Sequence, residues 1–225
     1  MCGRFAFYSP HEAIVRLFGV NESPEVAPHY NIAPTQFVAV VRAGQDQSRR
    51  LSMLYWGLVP YWAGEKSIGA RMINARAETL NDKPAFRNAY RTRRCLVLAD
   101  GYYEWQRSQS VKQPHFIHLA SGEPFGMAGL WETWRDPANG ERLESCTIVT
   151  TTPAASVAHL HDRMPVIVPP AAHAEWLDPG NQDTGRLARL LAPFPSAALA
   201  SHAVGLRVNS ARNDEPDLVL AAGVE

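Results

Sequence analysis

The longest strand-like run in this chain is CLVLADGYYEW, residues 95–105, which begins with uninterrupted apolar residues and ends in aromatic ones. Apolar and β-branched residues gather into similar runs along the sequence, a pattern typical of strands. The other predicted strands are residues 37–42, 51–58, 115–119, 125–134, 145–151, 164–168 and 204–208. Strands outnumber helices and do not alternate with them. The pattern therefore predicts an α+β fold with a curved or barrel-like mixed sheet, mainly antiparallel, and short peripheral helices.

Turn and helix signals complete this prediction. Ser121-Gly122 and Asn139-Gly140 separate predicted strands, and such turns favour antiparallel neighbours. Ser9-Pro10-His11-Glu12 resembles a capping box with proline at the first helical position, which predicts a helix to about Phe18. Three more short helices are predicted, one opening at Thr152-Pro153 and two over residues 170–177 and 184–191. Without an internal repeat or long linker, we expect one domain over residues 1–225.

Charge composition argues against a protein that binds nucleic acid through bulk charge, since 22 basic residues face 22 acidic ones among 225. The distribution is less even. Residues 71–94 hold seven basic and two acidic side chains. Such a patch could bind phosphates, and the alternative is a solvated, arginine-rich helix.

Hydropathy and cysteine content predict the setting of the protein. No segment approaches the roughly 18 apolar residues of a membrane span, and the first residues lack the pattern of a signal peptide. We therefore expect a cytoplasmic protein that contacts no membrane. The three cysteines are too few for a disulfide framework and none forms a C-x-x-C pair. Cys95 and Cys146 are expected to be buried thiols, and neither a metal nor a cofactor is expected.

Cys2 directly follows Met1 and is the most informative single residue. Removal of Met1 would leave an α-amine and a thiol on one residue, a 1,2-aminothiol. Such a group captures aldehydes, because the amine forms an imine and the thiol then closes a five-membered thiazolidine. The α-amine and thiol have reference pKa values of about 8 and about 8.5, so both are usable at cell pH. The alternative is a cysteine that packs as a small hydrophobic residue.

Three polar segments could serve such chemistry. Glu104 lies between aromatic residues, where a desolvated carboxyl with a raised pKa could pass protons, or it could lie on a solvated strand face. Asn74 and Arg76 share a face if extended, and they could orient a small group and hold a phosphate, or form an ordinary loop. His161 could carry a proton, or it could be structural. Its His-x-His spacing with His159 could also suggest a metal, but no carboxylate or Cys cluster completes such a site.

Taken in order, these segments resemble the SOS-response-associated peptidase (SRAP) family from residue 2 to about residue 220. The motifs that carry the resemblance are Met1-Cys2-Gly3-Arg4-Phe5, Tyr30-Asn31-Ile32-Ala33-Pro34-Thr35, Trp56-Gly57-Leu58-Val59-Pro60, Asn74-Ala75-Arg76-Ala77-Glu78-Thr79, Gly101-Tyr102-Tyr103-Glu104-Trp105, His161-Asp162-Arg163-Met164-Pro165, and Val208-Asn209-Ser210 with Arg212-Asn213-Asp214. One departure is Glu215, where members often carry Gly. It puts the local backbone conformation in doubt.

The resemblance implies a sensor of abasic sites in single-stranded DNA that forms a covalent thiazolidine crosslink through Cys2. By that likeness Asn74 orients the Cys2 amine, Glu104 is the general acid and base, and His161 assists ring opening of the sugar. The implied DNA contacts are Arg4, Arg76, Arg163 and Trp105, with Pro34, Trp56 and Trp62 as candidate wedges that a continuous duplex cannot admit. A monomer is expected.

Two other functions remain open from the sequence. In a Cys-type peptidase or autopeptidase, Cys2 would be the nucleophile and His161 its base. A non-covalent reader of modified bases would need a pocket but no Cys2. Covalent trapping that depends on the free amine of Cys2 separates both from aldehyde capture.

Overall fold

The computed structural model describes residues 2–20, 25–44, 46, 48–106 and 112–223. Its strands are β1 (Phe5–Phe7), β2 (His29–Ile32), β3 (Phe37–Ala43), β4 (Arg49–Trp56), β5 (Asn74–Arg76), β6 (Arg94–Ala99), β7 (Gly101–Gln106), β8 (Gln113–Leu119), β9 (Phe125–Arg135), β10 (Arg142–Thr151), β11 (Met164–Pro165), β12 (Ile167–Val168) and β13 (Leu199–Ala203). Its α-helices are α1 (His11–Phe18), α2 (Arg87–Thr92), α3 (His173–Leu177) and α4 (Thr184–Ala188).

The strands form two sheets, one of which closes into a barrel. In the larger sheet β10, β4, β3, β6 and β9 pair in that order, and β9 pairs back to β10. The smaller sheet has the order β13-β8-β7-β1-β2. Only β10 makes parallel pairs among these named strands, with β4 and β5. The α+β prediction of a barrel-like, mainly antiparallel mixed sheet is confirmed.

The run at residues 95–105 is two strands rather than one. β6 is buried throughout and lies in the barrel, whereas β7 lies in the smaller sheet. The chain passes between them at Asp100, whose buried carboxylate accepts hydrogen bonds from the backbone N–H groups of Tyr8 and Ser9. Gly101 is needed there, because a Cβ would approach the Phe116 ring to 2.2 Å. This crossing places the carboxyl end of the run beside β1 and the N-terminus.

The predicted cap of α1 and one of the two predicted turns between antiparallel strands are wrong. Ser9 does not cap α1, because its hydroxyl donates to Asp100 instead and the helix begins at His11 after Pro10. Ser121-Gly122 joins β8 to β9, which belong to different sheets and do not pair. Asn139-Gly140 does join antiparallel neighbours, β9 and β10, as predicted.

The carboxyl-terminal third contains two further corrections. The predicted strand at 204–208 is wrong, because β13 ends at Ala203 and Leu206–Asn209 forms a 3-10 turn. No α-helix opens at Thr152-Pro153, since residues 155–160 form successive turns. The helices predicted at 170–177 and 184–191 are confirmed as α3 and α4, each extended by a 3-10 turn.

The arginine-rich segment 71–94 is neither one helix nor one patch. α2 covers only part of it. Arg94 is buried and its guanidinium donates to backbone carbonyls, including those of Tyr90 and Trp176, while Arg93 pairs with Glu132 at 2.7 Å. Carbonyl oxygens replace water around Arg94, which makes its burial possible. Cys95 and Cys146 are buried thiols, as predicted. None of the helices in the described ranges has the length and apolarity to cross a membrane.

Candidate functional site

Cys2 lies fully buried where the chain enters β1. Its carbonyl oxygen accepts a hydrogen bond of 2.8 Å from Asn74 Nδ2. Burial raises the pKa of the Cys2 thiol far above its ordinary value, and the negative charge of Glu104 raises it further. The sulfur is therefore a protonated thiol near neutral pH rather than a thiolate.

Asn74 is held against Cys2 by the barrel. β5 runs parallel to β10, with Asn74 opposite Ile148 and Arg76 opposite Thr150. The amide of Asn74 donates to the Cys2 backbone, while its Oδ1 is buried and accepts no hydrogen bond from the described residues. The side chain thus presents an acceptor oxygen in the immediate neighbourhood of Cys2.

Glu104 lies on β7 and is 4% exposed, which rules out a solvated strand face. The negative charge of Glu104 helps to raise the pKa of the Cys2 thiol and that of the Tyr102 hydroxyl. Glu104 also lines a cleft of about 360 Å³ together with Trp105, Lys112, His161 and Asn209. The structure therefore brings Glu104 and His161, which are far apart in sequence, to one cleft.

His161 has two polar neighbours of its own segment. Its Nδ1 accepts from the backbone N–H of Arg163 at 3.0 Å and lies 2.8 Å from Asp162 Oδ1. The role of Nδ1 depends on the tautomer, since the Arg163 N–H needs a lone pair on it and the Asp162 carboxylate needs a proton on it. Neighbouring His159 is exposed, and the described part of the chain assembles no group of three or more metal-ligating side chains.

The two implied phosphate-binding arginines differ in their surroundings. The Arg163 guanidinium binds both carboxylate oxygens of Glu78, at 2.7 and 2.9 Å, and also donates to the Thr150 carbonyl. This pairing lowers the pKa of Glu78. Arg76 is exposed, and its guanidinium, unlike its backbone, has no hydrogen-bond partner among the described residues, although its charge helps to lower the pKa of Glu78. Arg76 can accept a phosphate as it stands, whereas Arg163 would have to share its guanidinium with Glu78.

Trp105 follows Glu104 on β7 and so faces the opposite side of that strand, where Arg4 also lies. Arg4 donates to Asn31 Oδ1 at 2.7 Å and to the Val208 carbonyl at 2.8 Å, and burial lowers its pKa. Its guanidinium also lies 6.0 Å from the centre of the Trp105 ring. Trp105 Nε1 donates to Asn209 Oδ1 at 2.7 Å, which fixes the indole at the edge of the cleft.

Two of the three candidate wedges reach the surface and the third does not. Trp62 is 51% exposed and Pro34 is half-buried. Trp56 is wrong as a wedge, because it is fully buried, packs edge-on against Phe5 and donates from Nε1 to the Ile73 carbonyl. An apolar aromatic at a strand end fits a core as well as a surface, and here the barrel interior takes it.

The sequence motifs near the two ends of the chain are joined to each other by hydrogen bonds. Asn31 donates from Nδ2 to the backbone carbonyls of Ser210 and Asn213, and Asp214 accepts from the backbone N–H groups of Tyr30 and Asn31. Glu215 has φ −110°, an extended conformation that any residue adopts, so the departure from Gly causes no strain. These motifs hold the segment that carries Asn209 against β2.

Lys112, which lines the cleft, and Tyr102, which is buried near Glu104, were not among the predicted site residues. Lys112 lines the cleft because the antiparallel pairing of β7 and β8 returns the chain to it. Tyr102 lies buried two positions before Glu104. The period of two in a strand could have indicated Tyr102, since residues i and i+2 share a face.

Comparisons with known proteins agree on one family. The model of the family described as SOS response associated peptidase (SRAP) matches residues 1–211. The chain is 41% identical to abasic site processing protein YoqW of Bacillus subtilis, over 97% of this chain and 99% of that protein. It is 32% identical to abasic site processing protein HMCES of Xenopus tropicalis, over 89% of this chain and 68% of that protein. A crystal structure of a protein from Bacteroides thetaiotaomicron is similar in fold, with a TM-score of 0.88 at 24% identity, over 98% of this chain and 100% of that one.

Proposed function

The chain belongs to the SOS response associated peptidase (SRAP) family, and on that basis we propose that it captures abasic sites in single-stranded DNA through Cys2. Relatives named abasic site processing proteins cover nearly the whole chain. The observation that carries the proposal is the placement of a buried Cys2 against Asn74 and within the field of Glu104. The protein acts as a single SRAP-like domain and a monomer.

The reaction is a stepwise capture of an aldehyde. Loss of Met1 frees the α-amine of Cys2, which attacks the C1′ aldehyde that ring opening of an abasic sugar reveals. The resulting carbinolamine loses water to give an iminium. The sulfur then bonds to the same carbon, the π electrons return to nitrogen, and the thiol proton leaves to a base. Loss of a base is what creates the aldehyde, so the chemistry itself selects the lesion.

Asn74, Glu104 and His161 each have a role in this reaction. Asn74 Oδ1 accepts a hydrogen bond from the Cys2 amine and orients its lone pair. Glu104 donates the proton that lets water leave and later accepts the thiol proton. His161, in the same cleft, assists ring opening of the sugar. The environment of Cys2 favours this chemistry over a peptidase, because a Cys nucleophile needs a lowered pKa and that of Cys2 is raised.

DNA binding is assigned to the residues around the cleft. Arg76 binds a phosphate, Arg4 and Arg163 contribute charge from within their ion-pair and carbonyl networks, and Trp105 stands at the cleft edge. Trp62 and Pro34 present apolar surface outside it. A single strand can follow such a path while exposing its bases to the aromatic groups.

The deciding experiment is a crosslinking assay with the mature protein. A single-stranded oligonucleotide with one abasic site should give a protein-DNA band that survives heating in denaturant. The matched oligonucleotide with a tetrahydrofuran in place of the sugar has no aldehyde and should give none. Equal bands from both, or no band with the abasic oligonucleotide, would refute the proposal.

Glu104→Gln should slow adduct formation by about 10²- to 10⁴-fold, the usual contribution of a positioned acid or base. The direction of the rate change distinguishes a reaction limited by proton transfer through Glu104 from one limited by the supply of thiolate. Glu104 raises the pKa of the Cys2 thiol, so its removal lowers that pKa and makes thiolate more available. If thiolate supply limited the reaction, the variant would be faster. Single-turnover rates from about pH 5 to 9 measure this, and we expect the variant to be slower than the native protein throughout that range.

The matched control for this change is Glu123→Gln. Glu123 is partly exposed and pairs with Arg16 on α1, outside the cleft. It should leave both the rate and the pH profile unaltered. A Glu104→Gln protein that reacted at the native rate would exclude Glu104 as the proton carrier.

Arg76→Ala should weaken binding of single-stranded DNA and make its salt dependence shallower, since one phosphate contact fewer releases fewer counterions. The expected decrease in the slope of log K against log salt is about 0.7 for a single strand. Fluorescence anisotropy with an intact oligonucleotide measures it without the covalent step. Arg16→Ala, on the exposed face of α1, is the control and should keep the native slope. An unchanged slope for Arg76→Ala would remove Arg76 from the DNA path.

A further inference from the structure

Tyr102 carries a buried hydroxyl with no hydrogen-bond partner among the described residues. The side chain is 1% exposed and lies on β7, paired with Phe5 of β1 on one side and Ile117 of β8 on the other. Neither neighbour offers a polar side-chain atom. The neighbouring strands therefore pair with the backbone of Tyr102 but offer no hydrogen-bond partner to its hydroxyl.

The neighbouring tyrosine on β7, Tyr103, does have a hydrogen-bond partner for its hydroxyl. Tyr103 faces the opposite side of β7, and its hydroxyl donates to the Tyr30 carbonyl at 2.6 Å. Buried polar groups are nearly always paired in native proteins, and an unpaired one destabilises the fold. A buried hydroxyl that is left unpaired beside a reactive group therefore calls for a functional explanation.

The surroundings of Tyr102 point to the reactive group. Tyr102 and Glu104 are two positions apart on one strand and so share a face of the sheet. Cys2 and Tyr102 belong to the same cluster of packed, buried side chains, and burial raises the pKa of Tyr102 well above its ordinary value, with Cys2 and Glu104 raising it further. The hydroxyl thus stays protonated throughout the physiological range and is available only as a neutral donor and acceptor.

We propose that the Tyr102 hydroxyl donates a hydrogen bond to the Cys2 sulfur during closure of the thiazolidine. The inference rests on the proposed aldehyde capture and adds a group to it. As the S–C bond forms and the π electrons of the iminium return to nitrogen, the thiol proton passes to Glu104. As the thiol proton passes to Glu104, the sulfur gains thiolate character before its lone pair closes on the iminium carbon, and a neutral donor in a water-poor site stabilises that charge. Tyr102 keeps its own proton, so the step needs no other reagent.

Tyr102→Phe tests this donor directly, because it removes one oxygen and keeps the ring. We expect closure to the heat-stable adduct to slow by about 10- to 100-fold, the effect of losing one hydrogen bond to a developing charge. Imine formation, measured by trapping with borohydride, should proceed at the native rate. The melting temperature should stay the same or rise, since the change removes an unpaired buried hydroxyl.

Tyr103→Phe is the matched control on the same strand. It breaks the bond to the Tyr30 carbonyl and should lower the melting temperature by about 2–4 °C while leaving ring closure at the native rate. Native closure kinetics in Tyr102→Phe would overturn the inference, as would equal slowing of imine formation and closure. Absence of any adduct with the native protein would instead refute the proposed function, so the two failures can be told apart.

Discussion

Cys2→Ala is expected to form no heat-stable adduct with abasic single-stranded DNA, because the thiazolidine cannot close without sulfur. The α-amine survives the change, and so do the contacts of Asn74 with the backbone of residue 2. An imine should therefore still form and be trapped by borohydride. A denaturing gel run with and without borohydride measures both species in one experiment.

The substitution is small enough to leave the fold intact. It removes one fully buried sulfur, for which a loss of about 1 kcal/mol is expected. Cys146→Ala is the matched control, since it removes an equally buried thiol from β10 and should crosslink normally. If Cys2→Ala gave as much heat-stable adduct as the native protein, the aminothiol mechanism would be wrong.

The strand pattern was predictable because it depends on local composition. Most predicted strands lie where the apolar runs are, and the runs at residues 37–42 and 125–134 correspond closely to β3 and β9. The division of residues 95–105 at Asp100 was not predictable in this way. The Asp100-Gly101 pair is a turn signal in the sequence, but which sheet each half joins depends on its partners, and the bonds of Asp100 to Tyr8 and Ser9 are visible only in the fold.

Side-chain environment was the harder part of the site to predict. The ordered motifs indicated Cys2, Asn74, Glu104 and His161, but not that Asn74 would bind the Cys2 carbonyl or that Glu104 and His161 would line one cleft. Arg94 shows why, since its charge predicted solvent or phosphate and it binds backbone carbonyls instead. Such contacts join residues far apart in sequence, and composition and spacing do not encode them.

A form that retains Met1 is expected to form neither the imine nor the thiazolidine. In that form the Cys2 nitrogen belongs to a peptide bond, where resonance withdraws its lone pair. The thiol remains, but a thiol alone adds to an aldehyde reversibly and gives no adduct that survives denaturation. Intact-mass analysis of each preparation, paired with the crosslinking gel, measures how the adduct follows the fraction of chains that begin with Cys2.

A removable extension makes this test independent of how Met1 is normally lost. A protein with a cleavable segment placed before Cys2 should be inactive, with the Cys2 thiol still present by titration, and should regain crosslinking when cleavage exposes the Cys2 amine. Recovery on cleavage would locate the reactive amine at Cys2 rather than at Lys112, the lysine that lines the cleft. The extended protein has Lys112 intact, so a borohydride-trapped adduct before cleavage would identify a lysine imine and overturn the role of the N-terminal amine.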